Sequence, residues 1–259
     1  MKRLFGFGDG QGFPFRRGRN RFDHSHDPEA VRKRLAEPTR RSYTGDWIYG
    51  GFDGTVTTFA VVAGVAGAAL SPKITLILGV ANLVADGFSM AAGAYLSTKA
   101  DSERYAALRQ TEVRHVETDP EGETVEVREI LRRTGVPEDV LEAATSAITA
   151  NKRRWIDFMM AGEYGLTDGG RHPWLAGAAT FTAFSLFGLV PLIPFIAGVA
   201  NAFLIASAMT GLAFMLIGAM KARYANRPVL PAILESLAVG TAAATLAYAA
   251  GHVLSSLAS

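Results

Sequence analysis

No cysteine occurs among the 259 residues, which excludes disulfides, thiolate metal ligation and CxxC redox chemistry. Charge is missing in a second, local sense. Lys and Arg number 26 and Asp and Glu 24, yet none of them falls between Pro173 and Met220. A charge-free run of that length is about twice what one helix needs to cross a bilayer. The N-terminal tail, which contains FRRGRNRFDHSHDPEAVRKR, lacks the apolar stretch of a signal peptide, so none is expected there. The net charge of +2 says little as a total, and no nucleic-acid partner is expected; its distribution along the chain is what counts.

Apolar residues make up 49% of the chain, yet the mean hydropathy is only +0.18. They are gathered into blocks separated by charged segments, the profile of a membrane protein with a substantial soluble part. Residues 47–70 form one apolar block broken only by Asp53, and residues 74–97 a second broken only by Asp86. The charge-free run from Pro173 contains VPLIP near its middle, so Pro191 and Pro194 are expected to mark a turn between two further helices. A fifth block begins near Val229 and carries Glu235 near its start. The expected fold is all-α, with five transmembrane helices: a tail over 1–42, spans one and two within 43–98, a soluble helical insert over 99–172, and spans three to five within 173–259.

Basic residues set the orientation. The tail holds 11 Lys and Arg, the insert 11 and the loop KARYANR 3, leaving only Lys73 on the opposite side. The positive-inside rule then places tail and insert in the cytoplasm. The tail is expected to be disordered at first and helical toward Arg41. Its His24 and His26 are read as part of a solvated basic segment attracted to anionic membrane lipid rather than as metal ligands.

Within the insert, residues 100–117, 120–135 and 137–165 each suit one helix, with Pro and acidic first turns opening the second and third. Such a domain is too small for a rich core of its own, so packing against a partner subunit is expected to help. Candidate ligands recur at helical neighbour spacing. Glu112 and His115 are i, i+3, as are Glu123 and Glu126; Met159 and Glu163 are i, i+4, with Met160 in the same arc. Any one pair reads equally as a solvated face, and the two methionines as core packing. Three pairs on three helices point instead to a common ion, and carboxylates mixed with thioethers suit Fe²⁺ or Mn²⁺. On this reading Met159 and Met160 lie on a water-facing helix.

A charged Asp at the bilayer centre costs about 2.5–3.5 kcal/mol on insertion scales and normally faces a partner or a watery path. Asp53 in GGFDGTVTTF and Asp86 in VADGFSMAAG are both flanked by glycine, and Met90 follows Asp86 by one turn. Gly50 and Gly54 form a small-xxx-small pattern that admits close helix approach. The competing reading of each Asp is a helix-to-helix hydrogen bond or an interfacial position. A carboxylate and a thioether in the membrane repeat the donor chemistry of the insert, as expected if one ion is handled at two places.

DGTVTTFAVVAGVAG, ANLVADGFSMAAGAYLS, the PxxExxE run from Pro120 to Glu126, MMAGEYGL and GLVPLIPF together resemble the vacuolar iron transporter family, and a bacterial member of it is expected. The resemblance runs over roughly 43–251. It implies five spans, a homodimer with the ion path at the subunit interface, and a cytoplasmic helical metal-binding domain. The implied activity is proton-coupled export of Fe²⁺, often with Mn²⁺, into a vacuole or across a bacterial inner membrane. By the same resemblance Asp53 and Met90 match intramembrane ion ligands, with Asp86 and Asn82 beside them. Glu112, Glu123, Glu126, Met159, Met160 and Glu163 match ligands of the cytoplasmic domain. His115 stands where the family pattern usually has a glutamate, which makes loading more pH-sensitive. Asn82 and Ala94 occupy places where a carboxylate is often seen, leaving Asp53 and Asp86 as proton carriers.

Two other readings are weighed. A membrane-anchored metal sensor or store would use the spans only as an anchor. A di-iron oxidoreductase would need Glu-x-x-His pairs on a four-helix bundle; Glu112-Val-Arg-His115 supplies the pattern once. No enzymatic activity and no prosthetic group are therefore expected.

Overall fold

Helix formers without a break carry the chain from the second apolar block straight into the charged insert, and the longest element follows from that. The computed structural model describes residues 26–36, 41–167 and 170–258. Among the described residues every regular element is helical. The chain divides into two units, Met1–Arg40 and Arg41–Ser259. In the first unit Pro28–Ala36 forms α1, opened by Pro28 and the acidic Glu29 and closed by Lys33 and Arg34, charges that match the helix dipole at each end. The disorder expected earlier in the tail, and His24, lie outside the described residues.

The second unit holds α2 (Thr44–Gly67), α3 (Pro72–Thr118), α4 (Pro120–Arg133), α5 (Glu138–Thr149), α6 (Lys152–Gly162), α7 (Pro173–Leu189), α8 (Ile193–Ile196), α9 (Ala202–Tyr224) and α10 (Val229–Ala258). Five segments are long and apolar enough to cross a membrane: α2, α3, Pro173–Ile196, α9 and α10. The central one is α2, which packs against α3, α7, α9 and α10. Its glycines make that position possible. A Cβ on Gly50 would lie 2.6 Å from the Thr180 carbonyl oxygen, and one on Gly54 would strike the Phe184 carbonyl of α7. Backbone thus meets backbone along the Gly50–Gly54 stripe, the close approach that small residues give membrane helices. Phe59, Val62, Leu83, Phe184 and Leu192 fill the apolar core beside it.

Three expectations are corrected. The second span and the first helix of the insert are one 47-residue helix, α3, about 70 Å long at 1.5 Å per residue. No proline or glycine follows Gly93 before Pro120, so nothing ends the helix at the boundary drawn near residue 98. The expected third insert helix is two, because Asn151 caps α6 by accepting from the Arg154 backbone N–H at 3.0 Å, a favoured role for asparagine. The turn after the third span comes later than VPLIP. Pro191 sits in a 3-10 turn and Pro194 opens α8, both first-turn positions where proline is tolerated. The reversal follows at Gly198 and Asn201, with φ of 64° and 57°.

The C-terminal part of α3 joins α4, α5 and α6 in a second core of Val116, Val127, Leu131, Leu141, Trp155, Ile156, Met159 and Met160. Asp119 caps α4 through the Gly122 backbone N–H at 3.0 Å. Arg128 donates to Glu142 at 2.6 Å and Arg132 to Glu138 at 2.7 Å, tying α4 to α5.

Candidate metal sites

Heptad-like placement puts Glu112 and Val116 of α3 on one inward face and Glu123 and Val127 of α4 on another, so each carboxylate lies one turn from the apolar core. Glu112 is 0% and Glu123 5% exposed. Burying two carboxylates together is costly unless both are paired. Each is only half satisfied. Tyr164 donates to Glu112 Oε1 at 2.9 Å, and His115 Nδ1 lies 3.2 Å from Glu123 Oε1 and 3.9 Å from Glu112 Oε1. Glu112 Oε2 and Glu123 Oε2 are buried without a hydrogen-bond partner.

Electrostatics draws Glu126 and Glu163 into the same cluster. Burial, then the Glu112 and Glu126 charges, push the Glu123 carboxyl up to about 7. Burial, then Glu112 and Glu126, also raise Glu163. The Tyr164 phenol is raised by burial and by its bond to Glu112. Mutual repulsion of carboxylates in a partly dry site is what a divalent cation relieves, and two orphaned oxygens are suitable donors to one. Among the described residues no three His, Asp or Glu side chains form a ready metal cage; Tyr164 donates to Glu112, and His115 lies beside Glu123.

Met159 and Met160 are corrected in one respect. They are 0% and 1% exposed, so α6 turns them inward and they pack the core; the helix spends no thioether on water. Glu163 and Glu126 are exposed, and His115 keeps 52% of its side chain accessible. The set is therefore layered, with thioethers and Glu112 deepest, Glu123 next, and His115, Glu126 and Glu163 at the rim.

In the spans, Asp53 of α2 and Asp86 of α3 are half-buried and within electrostatic range of each other. Asn82 Nδ2 donates to Asp86 Oδ2 one turn away, while Asn82 Oδ1 is buried without a partner. Met90 packs partly buried against the apolar core. It also borders a cavity of about 360 Å³ shared with Asp46, Tyr49, Ser89, Ala94 and Thr180. Asp53 does not line that cavity. The acid that shares space with Met90 is Asp46, which sequence reasoning missed although it precedes Asp53 by seven residues, two turns on the same helical face. Tyr164, adjacent to Glu163, was missed as well.

A family model described as the VIT family matches residues 44–252. Vacuolar iron transporter 2 of Oryza sativa subsp. japonica is 30% identical over 240 residues, 89% of this chain and 97% of its own length. The vacuolar iron transporter of Toxoplasma gondii is 34% identical over 229 residues, 83% of this chain and 76% of its own. Vacuolar iron transporter 1 of Tulipa gesneriana is 32% identical over 216 residues, 82% and 87%.

Proposed function

This chain belongs to the VIT family, and on that premise we propose that it is a transporter that exports Fe²⁺, with Mn²⁺ as a second cargo, from the cytoplasm in exchange for protons. The relatives are named as transporters, in keeping with a carrier rather than an enzyme. The observation that carries the reading is the orphaned pair Glu112 Oε2 and Glu123 Oε2, set on and beside the same continuous helix α3 that bears Asp86 and Met90. Capture and conduction groups thus share one rigid element.

In this reading the tail over 1–42, the insert over 99–172 and the loop holding Lys221, Arg223 and Arg227 face the cytoplasm, as their basic residues favour. Glu112, His115, Glu123, Glu126 and Glu163 collect the ion, with Met159 and Met160 closing the buried side. Asp46 receives it, and Met90, Asp53, Asp86 and Asn82 carry it across. Fe²⁺ and a proton compete for each carboxylate, so returning protons drive release. In this reading two subunits form the working unit, with the exposed apolar residues Ile77, Leu78, Val84 and Phe88 of α3 at their interface. The membrane is a bacterial inner membrane or, in a eukaryote, one of vacuolar type.

The reading is tested with purified protein in liposomes, following Fe²⁺ and Mn²⁺ uptake with and without a pH gradient. Saturable uptake accelerated by the gradient is expected; metal-independent leakage would refute transport. The sensor or store reading would show tight binding and no flux, and the cavity joining Asp46 to Met90 disfavours it.

A further inference from the structure

Asp46 is the acidic side chain of the cavity that holds Met90, and it is already engaged. The Arg171 guanidinium donates to Asp46 Oδ2 across 125 residues of chain. Arg171 Cζ also stands 5.4 Å from the centroid of the Tyr43 ring. The backbone N–H of the next residue, His172, donates to the Tyr43 hydroxyl at 2.9 Å. Three contacts therefore fasten the approach to α7 onto the start of α2. The Asp46 side chain is only 14% exposed, that of Arg171 41%, so the cation covers the acid from the water side.

A guanidinium cannot shed its proton near neutral pH. One carboxylate cannot hold it and a divalent ion together without leaving two units of excess positive charge, so Arg171 has to move for an ion to bind. Space and a second partner are at hand. Arg171 borders a pocket of about 610 Å³ whose other lining residues include Asp101, Ser102 and Tyr105 of α3.

We infer that Arg171 is the resident counter-ion of Asp46, displaced toward Asp101 when a divalent cation enters, and that this exchange sets which ions are admitted. A monovalent cation offers Asp46 no more charge than the guanidinium it would replace, and it lacks the tethering of Arg171 by Tyr43. A divalent ion offers twice the charge and wins. The inference rests on the proposed transport reading for the direction of entry, but the competition itself is a property of binding.

The test compares full-length wild type with R171Q, R171K and Y43F. In liposomes R171Q is expected to lower the KM for Fe²⁺ about fivefold, the scale of a partly exposed ion pair, with kcat changed less than twofold. R171K, which keeps the charge, should return KM toward wild type, and Y43F, which frees the His172 anchor, should lower it by a smaller factor. R171Q should also admit Na⁺ as a competitor of Fe²⁺ uptake, which wild type excludes. If KM in R171Q is unchanged or raised while the protein stays monodisperse, the pairing is a structural fastener and the inference fails. Mn²⁺ titration in detergent, followed by loss of the free-ion EPR signal, separates this from failure of transport. Even in a protein that moves no metal, R171Q should bind Mn²⁺ more tightly at a site abolished in the D46N/R171Q double variant; equal binding in R171Q and wild type would overturn it.

Discussion

His115 Nδ1 lies 3.2 Å from Glu123 Oε1, joining α3 to α4 beside the core that they build with α5 and α6. The two partners live in different media, since Glu123 is nearly enclosed and His115 keeps 52% of its side chain in water. The imidazole is thus the accessible member of a pair whose other member has one oxygen beside the histidine and one orphaned. An arriving cation can meet the histidine first and draw the carboxylate toward itself.

That arrangement gives a pH dependence with a definite sign. Glu123 is held at about 7 against 4.5 when unfolded. A group raised on folding favours the folded state fully below its unfolded value and loses that contribution as pH rises through the folded one. With metal removed by chelator, the α3–α6 bundle should therefore lose stability between about pH 4.5 and 7 through this group. Melting of the purified protein at pH 5 and pH 8 measures it; E123Q should flatten the difference, without abolishing it because Glu163 is raised too. Added Mn²⁺ should raise the melting temperature more at pH 8, where binding releases no proton from Glu123. An E123Q profile superposing on wild type would show that the enclosed carboxyl does not titrate in this window.

The methionines can be divided between packing and ligation by two substitutions. Met159 is fully enclosed, so M159A should cost about 2–5 kcal/mol of stability. M159L conserves volume and should cost under about 1.5 kcal/mol. If the thioether also touches the ion, M159L should reduce the preference for Fe²⁺ over the harder Mn²⁺ a fewfold in competition binding. An unaltered preference would leave Met159 a core residue and nothing more.

Much of this was legible in the chain. Asp53 and Asp86 interrupt otherwise apolar blocks, and a 20-residue spanning length is enough to find the helices around them. The Gly50–Gly54 spacing anticipated a close crossing, because only a missing Cβ lets two helix backbones touch. Helix ends were harder. Asn151 starts a new helix two residues after Thr149 without any glycine or proline, and Pro191 is absorbed by a 3-10 turn while Pro194 opens α8, so residue type alone misplaced both boundaries. Side-chain depth was harder again: Met159 recurs on a face with Glu163, yet the core that swallows it is assembled from α3, α4 and α5. The Asp46–Arg171 pair spans 125 residues, and no local period can report a contact of that kind.

The α2–α7 crossing can be tested against a control glycine. A Cβ on Gly54 would meet the Phe184 carbonyl, carbonyl carbon and Cα, whereas one on Gly211 of α9 meets nothing within 4 Å. Backbone atoms cannot swing aside, so G54A must push the two helices apart and should cost at least the 1–3 kcal/mol typical of overpacking. G211A should be neutral or slightly stabilising, since alanine is the better helix former. Thermal stability in detergent distinguishes them; equal melting temperatures would mean that α2 and α7 are not held backbone to backbone.

Capture and conduction should separate in the kinetics. If the soluble cluster only raises the local ion concentration, E112Q/E123Q removes binding shared by every later step, so KM for Fe²⁺ rises while kcat holds near wild type. In the proposed pathway Asp53 comes after that stage; it is half-buried in α2 and within electrostatic range of Asp86. D53A should therefore abolish gradient-driven uptake, yet leave Mn²⁺ binding by the solubilised protein close to wild type, since the Glu112 and Glu123 oxygens remain. The reverse pattern, with D53A transporting normally and E112Q/E123Q losing kcat, would move the rate-limiting chemistry out of the membrane. In that case α3 would be a mere stalk, and its continuity from Pro72 to Thr118 would serve rigidity rather than transfer.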